Sequence, residues 1–373
     1  MSRIWHYLSH RYYWRRAVLR LSETVTRRLH LETHLETLVG GSLSLARLER
    51  PGSGARPGAG LRVLYVAPRF DYGNPARGYS YEENHFLPAL VHLGFDVVRF
   101  DSLTLVRRLG RRLASELLVE LAFRARPDVA FFVIFKDDFE AAALDELRRL
   151  GCVTLNWFTD DHWRFDAFSS RWAPHFSWTI TTDPEAVAKY HALGVPHVIR
   201  SQWGVNHWLY RPLERRHRFP VTFIGQPHGD RREIVHHLRR AGLPVEVWGY
   251  GWPRGKLSTR QAVEVINESA VNLNLSNASV GRVDQIKGRD FEVPACRALL
   301  ITKDVPALGD YYAIGDEVLT YGDADDLVAK IRWALEHADD ADRIRERGYR
   351  RVLADHTYEA RFMAVFRQAG VLP

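Results

Sequence analysis

The feature that most constrains the fold is a short apolar run at residues 61–68 (LRVLYVAP), where the character of the chain changes sharply. The run is nearly continuous and rich in β-branched and large apolar residues, which is typical of a parallel strand buried on both faces. A loop, a helical segment at 85–93 that ends at Gly94, and a second strand-like run at 95–101 (FDVVRFD) follow it. This order of strand, loop, helix and strand predicts an open, doubly wound α/β sheet.

The alternation of apolar runs and helical segments continues over the rest of the chain. A second round begins at 221–225 (VTFIG), after a bridging stretch, and ends in two helical segments. We therefore predict an α/β protein with two Rossmann-like domains, at 61–215 and 216–355, that face a central cleft. A C-terminal helix is expected at 356–373.

The first 60 residues carry most of the net charge. They contain ten Arg and four Glu with no Lys or Asp, so six of the seven net positive charges lie there. Residues 1–50 have the pattern of a basic amphipathic helix, and 51–60 (PGSGARPGAG) has the composition of a linker. Such a helix binds an anionic membrane surface, or it packs on the body or on a second subunit, and these alternatives stay open. Because the body is nearly neutral, no nucleic-acid partner is expected.

Two further features bear on the cellular compartment. No run of about 18 apolar residues occurs, and the N-terminus lacks the apolar core and cleavage site of a secretory signal. The two cysteines, Cys152 and Cys296, lie far apart in apolar segments and form no metal-ligand or disulfide pattern, so we expect buried thiols. We therefore predict a cytoplasmic protein, which is membrane-associated only if residues 1–50 bind the membrane.

Ligands of open α/β sheets lie beyond the carboxyl ends of the strands, so candidate site residues lie in loops that directly follow strands. The segment 284–296 (DQIKGRDFEVPAC) places two cations, Lys287 and Arg289, at the start of a helix. A helix N-terminus and cations together suit a diphosphate. The Glu292 carboxylate is able to accept hydrogen bonds from both hydroxyls of a ribose, and Asp284 lies eight positions before it. A solvated charged loop is the alternative interpretation.

The richest cluster of titratable groups in the first domain is at 156–166 (NWFTDDHWRFD), directly after a strand. Its members Asp160, Asp161 and His162 are catalytic candidates, since a carboxylate or imidazole facing the cleft is able to remove the proton of an acceptor hydroxyl. The alternative is structural, with Asp160 capping a turn and His162 packed.

Aromatic side chains near this cluster suggest where an acceptor binds, because sugar rings stack on aromatic faces. The loop at 77–84, after the first strand, adds carboxylates within reach of the cleft. The acceptor-binding candidates are Trp157, Trp163 and Glu82. Most tryptophans of this region are nevertheless expected in the core.

The second half of the chain resembles the CgeB-like, or spore-maturation-type, glycosyltransferases of the GT-B fold. The resemblance follows the blocks VTFIGQPHGDRRE, INESAVNLNLS, KGRDFEVPACRALLITKDVPALGDYY, DEVLTYGDADDLVAKIRWALEH and ADHTYEARF. The order of the blocks is more specific than any one of them. A similar acidic and aromatic stretch at 156–166 extends the resemblance weakly into the first half.

The resemblance implies that the second domain binds a nucleotide-sugar donor. In this pattern the loop at Gly225 and Arg231 place backbone amides and a cation beside the donor phosphates, although a plain strand-to-helix turn is the alternative. Related retaining enzymes carry two glutamates with seven residues between them, at the positions of Asp284 and Glu292. The first carboxylate is therefore shortened here, and Arg297 replaces the glycine that follows the family's cysteine. The family also implies that the final helix packs back on the first domain.

Together these observations predict a glycosyltransferase that moves a sugar from a nucleoside diphosphate sugar to a hydroxyl acceptor. Lys287 and Arg289 would neutralise the leaving diphosphate, so no metal and no cofactor are expected. If the enzyme retains configuration, the donor phosphate takes the acceptor proton, and Asp161 or His162 only orients the substrate. The acceptor is a glycan, a lipid-linked intermediate, a protein or a small metabolite, and the sequence does not choose among them.

Other protein classes fit less well. A metal-dependent GT-A transferase would use an Asp-any-Asp pair, whereas Asp160 and Asp161 are adjacent, and that fold has no place for a second α/β half. An NAD-dependent oxidoreductase would need a G-x-G-x-x-G turn after the first strand, where PRFDYGNPARG stands. A non-catalytic, GT-B-like sugar-binding or coat-assembly protein stays as the alternative, because Asp284 is shortened and the family's glycine is replaced.

Overall fold

The computed structural model describes residues 56–277 and 283–373, together with the backbone of Leu43 and Ser44. The basic helix predicted within residues 1–50, and half of the linker at 51–60, therefore lie outside the described residues. Within the described part, no helix combines the length and the apolar character needed to cross a lipid bilayer.

Seven strands form the first sheet. They are β1 (Leu43–Ser44), β2 (Arg62–Ala67), β3 (Asp96–Asp101), β4 (Val129–Phe132), β5 (Val153–Phe158), β6 (Trp178–Thr181) and β7 (Val198–Arg200). Their order is β1-β3-β2-β4-β5-β6-β7, and β1 pairs antiparallel with β3 while the others pair in parallel. The apolar run that predicted the first strand is β2, which is buried inside the sheet. β7 was not predicted, because three residues are too few to show a pattern.

Helices cover both faces of this sheet. They are α1 (Tyr81–His92), α2 (Ser102–Ala125), α3 (Ala141–Arg149), α4 (Asp161–Arg164), α5 (Ser170–Trp172) and α6 (Ala186–Ala192). Helix α1 begins earlier than the segment at 85–93 predicted from the sequence, because Ser80 caps it. The Ser80 hydroxyl accepts a hydrogen bond from the amide of Glu83 at 3.0 Å. The early start places Glu82 in the first turn of this helix.

The second sheet contains five parallel strands. They are β8 (Phe219–Ile224), β9 (Val245–Trp248), β10 (Ser269–Asn274), β11 (Leu300–Lys303) and β12 (Leu319–Tyr321), in the order β12-β11-β10-β8-β9. Its helices are α7 (Arg231–Arg240), α8 (Thr259–Asn267), α9 (Arg289–Ala295), α10 (Ala324–Glu336) and α11 (Ala338–Asp355). The chain passes from β8 to β9 on one side and to β10 on the other. The topological switch point, where open sheets bind ligands, therefore lies between β8 and β10.

The chain crosses between the two sheets twice, and the two crossings are hydrogen-bonded to each other. The Val205 amide donates to the carbonyl of His356 at 3.0 Å, and the Tyr358 amide donates to the carbonyl of Val205 at 3.1 Å. Glycine is needed at position 204, since a Cβ there would lie 2.9 Å from the His356 carbonyl oxygen. We refer to these paired segments, residues 203–206 and 356–358, as the hinge.

The last helix, α12 (Tyr358–Gln368), starts at the hinge and packs on the first domain. Phe362 and Phe366 are fully buried there and join the core between the first sheet and α1. Trp157 on β5 belongs to the same core, with its ring centroid 6.0 Å from that of Phe362. The first domain is therefore completed by a helix from the far end of the described chain.

Candidate functional site

The switch point of the second sheet is a tight glycine-containing junction. Gly225 follows β8, its amide donates to the Trp248 carbonyl at 2.8 Å, and its carbonyl accepts from the Trp252 indole at 2.8 Å. Gly249 lies so close that a Cβ on it would be 2.3 Å from the Gly225 carbonyl oxygen, and its φ of 144° also favours glycine. The loop after β8 is therefore fixed in place against the loop after β9.

Arg231 ties this loop to the loop after β10. Its guanidinium donates to the carbonyl of Gln226 at 2.8 Å and to that of Asn277 at 2.8 Å, and the side chain is buried over the ring of Phe223. Burial lowers the pKa of Arg231 to about 10, so the residue stays cationic at neutral pH. Both terminal nitrogens of Arg231 already bind carbonyl oxygens. The predicted contact between Arg231 and a phosphate stays a prediction. The structure gives Arg231 a second role as a brace at the switch point.

Lys287 lies where the two domains face each other. Burial lowers its pKa to about 8, and Asp160 of the first domain is the strongest of the groups that oppose this shift. The backbone around Lys287 is held by Asp290, which is buried and accepts from the Lys287 amide at 2.8 Å. Asp290 also accepts from the Asn274 side chain and the Thr302 hydroxyl, each at 2.7 Å. The carboxyl ends of β10 and β11 thus fix the position of the lysine.

Glu292 and Arg289 form a buried pair at the side of the cleft nearest the hinge. Arg289 Nη1 lies 2.7 Å from Glu292 Oε2, and His85 Nε2 from helix α1 lies 3.4 Å from Glu292 Oε1. Burial alone would raise the pKa of Glu292, but Arg289 and the contacts with His85 and Tyr210 hold it below its ordinary value. Lys287 and Arg289, treated as one cationic pair in the sequence analysis, therefore have different surroundings. Glu292 is 4% exposed and meets the first domain directly.

Asp284 lies on the loop that leads to Lys287. The Asn277 side chain donates to its carboxylate at 3.2 Å, and Lys303, Arg231 and Lys287 all act on its charge. Burial is the largest effect, and it raises the pKa of Asp284. The shortened carboxylate therefore lies among the cations of the switch point. Its predicted contact with the donor stays a prediction.

The three catalytic candidates of the first domain differ in their placement. Asp161 is wrong as a cleft base: it is 1% exposed and accepts a hydrogen bond from the Tyr190 hydroxyl at 2.8 Å, inside the first domain. Burial raises its pKa to about 6. The side chain turns away from the cleft because α4 begins at this residue and places successive side chains on different faces. Asp160 is partly exposed and acts on Lys287 across the cleft.

Lys287 of the second domain acts on the charge of His162. Within the first domain, His162 Nε2 lies 4.0 Å from Asp183 Oδ1, shortly after β6, and the His162 side chain is partly buried. Burial is the largest cause of its lowered pKa, and Lys287 lowers it further, while Asp183 opposes the shift. The imidazole is therefore neutral at neutral pH and able to accept a proton.

The three acceptor-binding candidates also differ in how far their side chains are exposed. Trp157 is wrong as a stacking surface, because it is fully buried in the core against Phe86 and Phe362. Trp163 is partly exposed, and the Arg164 guanidinium lies 5.5 Å from its ring centroid. Glu82 is partly exposed too, and burial raises its pKa. The acceptor roles of Trp163 and Glu82 stay predictions.

A polar contact bridges the two domains between the loop after β2 and the loop after β9, and we call this place the mouth. Lys256, after β9, donates to the carboxylate of Asp71 at 3.3 Å and to the carbonyl of Arg77 at 3.0 Å, both on the loop after β2. The Arg77 guanidinium lies between two rings, 4.8 Å from the centroid of Tyr72 and 4.6 Å from that of Tyr250. The cleft is therefore closed at both the hinge and the mouth.

The sequence and the structure were compared with those of known proteins. Residues 210–367 match the family model described as glycosyl transferase-like. HepE of Anabaena, solved with UDP, superposes with a TM-score of 0.53 at 10% identity, over 84% of this chain and 100% of that chain. AviGT4, a glycosyltransferase involved in avilamycin A biosynthesis, gives 0.55 at 14% identity, over 84% and 98%. The sucrose-phosphate synthase of Thermosynechococcus elongatus gives 0.53 at 13% identity, over 82% and 98%.

The chain has the GT-B fold. No curated protein matches the chain in sequence. In the GT-B frame, the glycosyl transferase-like match covers the second domain and the crossing back to α12. This match supports the glycosyltransferase prediction made from the sequence.

Several residues of the GT-B cleft were missed by the sequence analysis. His85 and Tyr210 surround the buried Glu292, Asp183 faces His162, and Lys256 closes the mouth. Position gave a signal for Asp183, since it lies two residues after the end of β6. The thiols of Cys152 and Cys296 are unpaired and buried, as predicted. Among the described residues, no group of three or more His, Cys, Asp or Glu side chains is placed to hold a metal ion.

Proposed function

We propose that the protein is a glycosyltransferase that moves a glycosyl group from a nucleoside diphosphate sugar to an acceptor hydroxyl held between its two domains. The observation that carries this proposal is the position of Lys287. Its side chain is partly buried, and both Asp160 of the first domain and Arg231 at the switch point of the second sheet act on its charge. A fixed cation of this kind stabilises the negative charge that grows on a leaving diphosphate.

The donor is proposed to bind with its diphosphate at the loop after β8 and the start of α9. Backbone amides at the N-terminus of a helix and the charge of Lys287 suit the phosphates. The Glu292 carboxylate has about four lone-pair sites and contacts Arg289, His85 and Tyr210, which leaves an acceptor site for a ribose hydroxyl. UDP is the first nucleotide to test, because the similar HepE structures hold UDP and UDP-glucose.

During transfer, the bond between the anomeric carbon and the diphosphate oxygen breaks, and the acceptor oxygen forms the new bond. Lys287 neutralises the departing diphosphate, while Arg231 keeps the two loops around it in place. The acceptor proton passes to His162 or to the departing phosphate. The second route would accompany retention of configuration.

The acceptor is proposed to lie against the first domain. Trp163 and Glu82 remain the candidates from the sequence, and Asp160 acts electrostatically on both Glu82 and Lys287. A glycan, a lipid-linked intermediate and a protein all offer the required hydroxyl. Membership of the CgeB-like subfamily, a cytoplasmic location and peripheral membrane contact through residues 1–50 are proposals that rest on the sequence.

A nucleotide panel tests the function directly. A ligand that binds the native state raises the thermal unfolding midpoint by mass action, so UDP, GDP and TDP are compared at equal concentration. We expect one of them to stabilise the protein, and the matching nucleotide sugar to be hydrolysed slowly without an acceptor. Lys287→Ala should lower that hydrolysis, with Lys189→Ala, an exposed lysine on α6, as the control.

The same panel separates the enzyme from the non-catalytic alternative. If no nucleotide stabilises the protein and no nucleotide sugar is hydrolysed, the glycosyltransferase proposal fails. Stabilisation by oligosaccharides alone would then favour a sugar-binding protein.

A further inference from the structure

We propose that His85 is a positioning residue that links the hinge to the donor carboxylate, Glu292. This inference rests on the proposed function, because it assumes that Glu292 binds the ribose of the donor. His85 lies on α1 of the first domain and is 2% exposed. Its two ring nitrogens face the hinge residue Asn206 and the donor-side residue Glu292.

The hydrogen bonds of His85 define its tautomer. The backbone amide of Asn206, in the hinge, donates to His85 Nδ1 at 3.1 Å. Because an amide N–H only donates, Nδ1 must carry a lone pair, and the proton of the neutral ring must be on Nε2. That nitrogen lies 3.4 Å from Glu292 Oε1. The ring therefore accepts from the hinge on one side and donates to Glu292 on the other.

Aromatic stacking keeps the imidazole in this orientation. Tyr81 lies against one side of the ring, with centroids 4.0 Å apart and planes 14° apart, and Tyr210 lies 5.4 Å away at 24°. Asn206 is itself fixed, since its side chain donates to the Asn84 carbonyl at 2.7 Å. A ring held in this way has little freedom to rotate, so a shift of the hinge is transmitted to the position of Glu292.

The consequence is that the relative position of the domains sets the quality of the ribose site. When the Asn206 amide of the hinge is hydrogen-bonded to His85 on α1, His85 donates to Glu292 Oε1. Glu292 then stays ionised and in one orientation. When the domains rotate apart, this donor moves away from Oε1. Nucleotide affinity is then coupled to hinge geometry through one imidazole, in addition to any contact that closure makes with the ligand.

Binding of UDP to His85 variants tests the coupling. His85→Phe preserves the stacked ring and removes both nitrogens, and loss of a hydrogen bond to a charged group should weaken UDP binding by about tenfold. His85→Gln keeps an N–H donor near the Nε2 position, whereas His85→Asn places it near Nδ1, so Gln should bind UDP more tightly than Asn. His92→Phe is the matched control, because His92 lies on the same helix and contacts a different carboxylate, that of Glu359.

A pH profile separates positioning from a purely structural role. Without the His85 donor the pKa of Glu292 rises, so UDP affinity should begin to fall at a higher pH than in the wild type. The titratable and charged groups that face Glu292 are His85 and Tyr81 on α1, Tyr210 after the hinge, Arg289 and Cys296 at the two ends of α9, and Tyr358 on α12. Of these, only the contact with residue 85 differs between the variants.

The outcomes are distinct. Equal UDP affinity in the wild type, His85→Phe and His85→Asn at every pH would overturn the inference, whereas absence of nucleotide binding by the wild type would overturn the proposed function. Nitrogen-15 NMR of histidine-labelled protein tests the hinge link without any ligand, with His85→Phe identifying the signals. We expect a neutral ring protonated on Nε2, and protonation on Nδ1 would contradict the proposed link.

Discussion

The ammonium of Lys256 donates a hydrogen bond to the carboxylate of Asp71, 3.3 Å away, and so joins the two domains at the mouth of the cleft. These two residues belong to different domains and lie outside the hinge, so rotation of the domains about the hinge changes the distance between them. A single partly exposed ion pair at this place favours the closed cleft without locking it.

Lys256→Met should therefore open the mouth with little effect on stability. Exposed ion pairs contribute about 0–1 kcal/mol, so the free energy of unfolding in urea should change by no more than that. The radius of gyration measured by X-ray scattering should increase in the absence of nucleotide. Arg260→Met removes a partner of an exposed ion pair within α8 and should leave the radius unchanged. An unchanged radius in Lys256→Met would mean that the mouth contact does not hold the domains together.

Arg231→Met should disrupt the switch point. The variant loses both bonds to the carbonyls of Gln226 and Asn277, so we expect a loss of about 2–4 kcal/mol in the free energy of unfolding, together with weaker UDP binding. Arg232→Met, the next residue along the chain, is the control because its side chain is exposed. Equal stability of the two variants would contradict the role of Arg231 as a brace.

The charge of Lys287 should set the alkaline limit of activity. Its pKa of about 8 in the ligand-free protein means that the ammonium is lost as pH rises through 8, so kcat/KM, and with it turnover at low donor concentration, should fall there. Lys287→Arg keeps the charge and should move the decline to higher pH, while Lys287→Met should lower turnover by roughly a hundredfold. Turnover that declines at the same pH in the wild type and Lys287→Arg would assign the alkaline limit to another group.

Asp161 should make stability depend on pH in the acid range. Its pKa in the folded protein is raised to about 6 from 3.8, so between these values the folded state holds a proton that the unfolded state has lost. Stability therefore falls as pH rises through this window, by about 1–3 kcal/mol. Asp161→Asn removes this dependence and should become more stable than the wild type above pH 6, with Asp166→Asn as an exposed control. Parallel stability curves for the wild type and Asp161→Asn, measured by urea unfolding, would disprove this.

Phe362→Ala should destabilise the first domain although the residue belongs to the end of the second half. Removing a fully buried phenylalanine costs about 3–5 kcal/mol. Hydrogen exchange should accelerate at the amides of β2 and β4, which form the same core. Gln368→Ala, exposed on the same helix, is the control. Faster exchange confined to the second sheet would contradict the packing of α12 on the first domain.

Much of the GT-B fold could be predicted from the sequence because buried parallel strands leave an apolar signature. The run at β2 and the round that starts at β8 both predicted strands where the structure has them. The short strand β7 and the exact start of α1 were missed, since three residues carry no period and a serine cap depends on local backbone geometry.

The site was only partly predictable, because the spacing of residues along the sequence does not determine side-chain directions or contacts between domains. Asp160, Asp161 and His162 are consecutive, yet Asp161 enters the core while its neighbours stay near the cleft. Trp157 is an aromatic residue of the type that stacks on sugars, but its side chain fills the core between the first sheet and α12. The partner of Glu292 that comes from α1, His85, is about two hundred residues away in sequence and lies in the other domain, and no sequence pattern connects the two residues.

The packing of α12 on the first sheet has a consequence for synthesis of the protein. The face of β2 and β4 that Phe362 and Phe366 cover is apolar, and it lacks these rings until α12 has been translated. The first domain therefore cannot reach its final packing as an independent unit while the second is still being made. During that interval the growing chain presents an uncovered aromatic surface, which is the kind of surface that chaperones protect from aggregation.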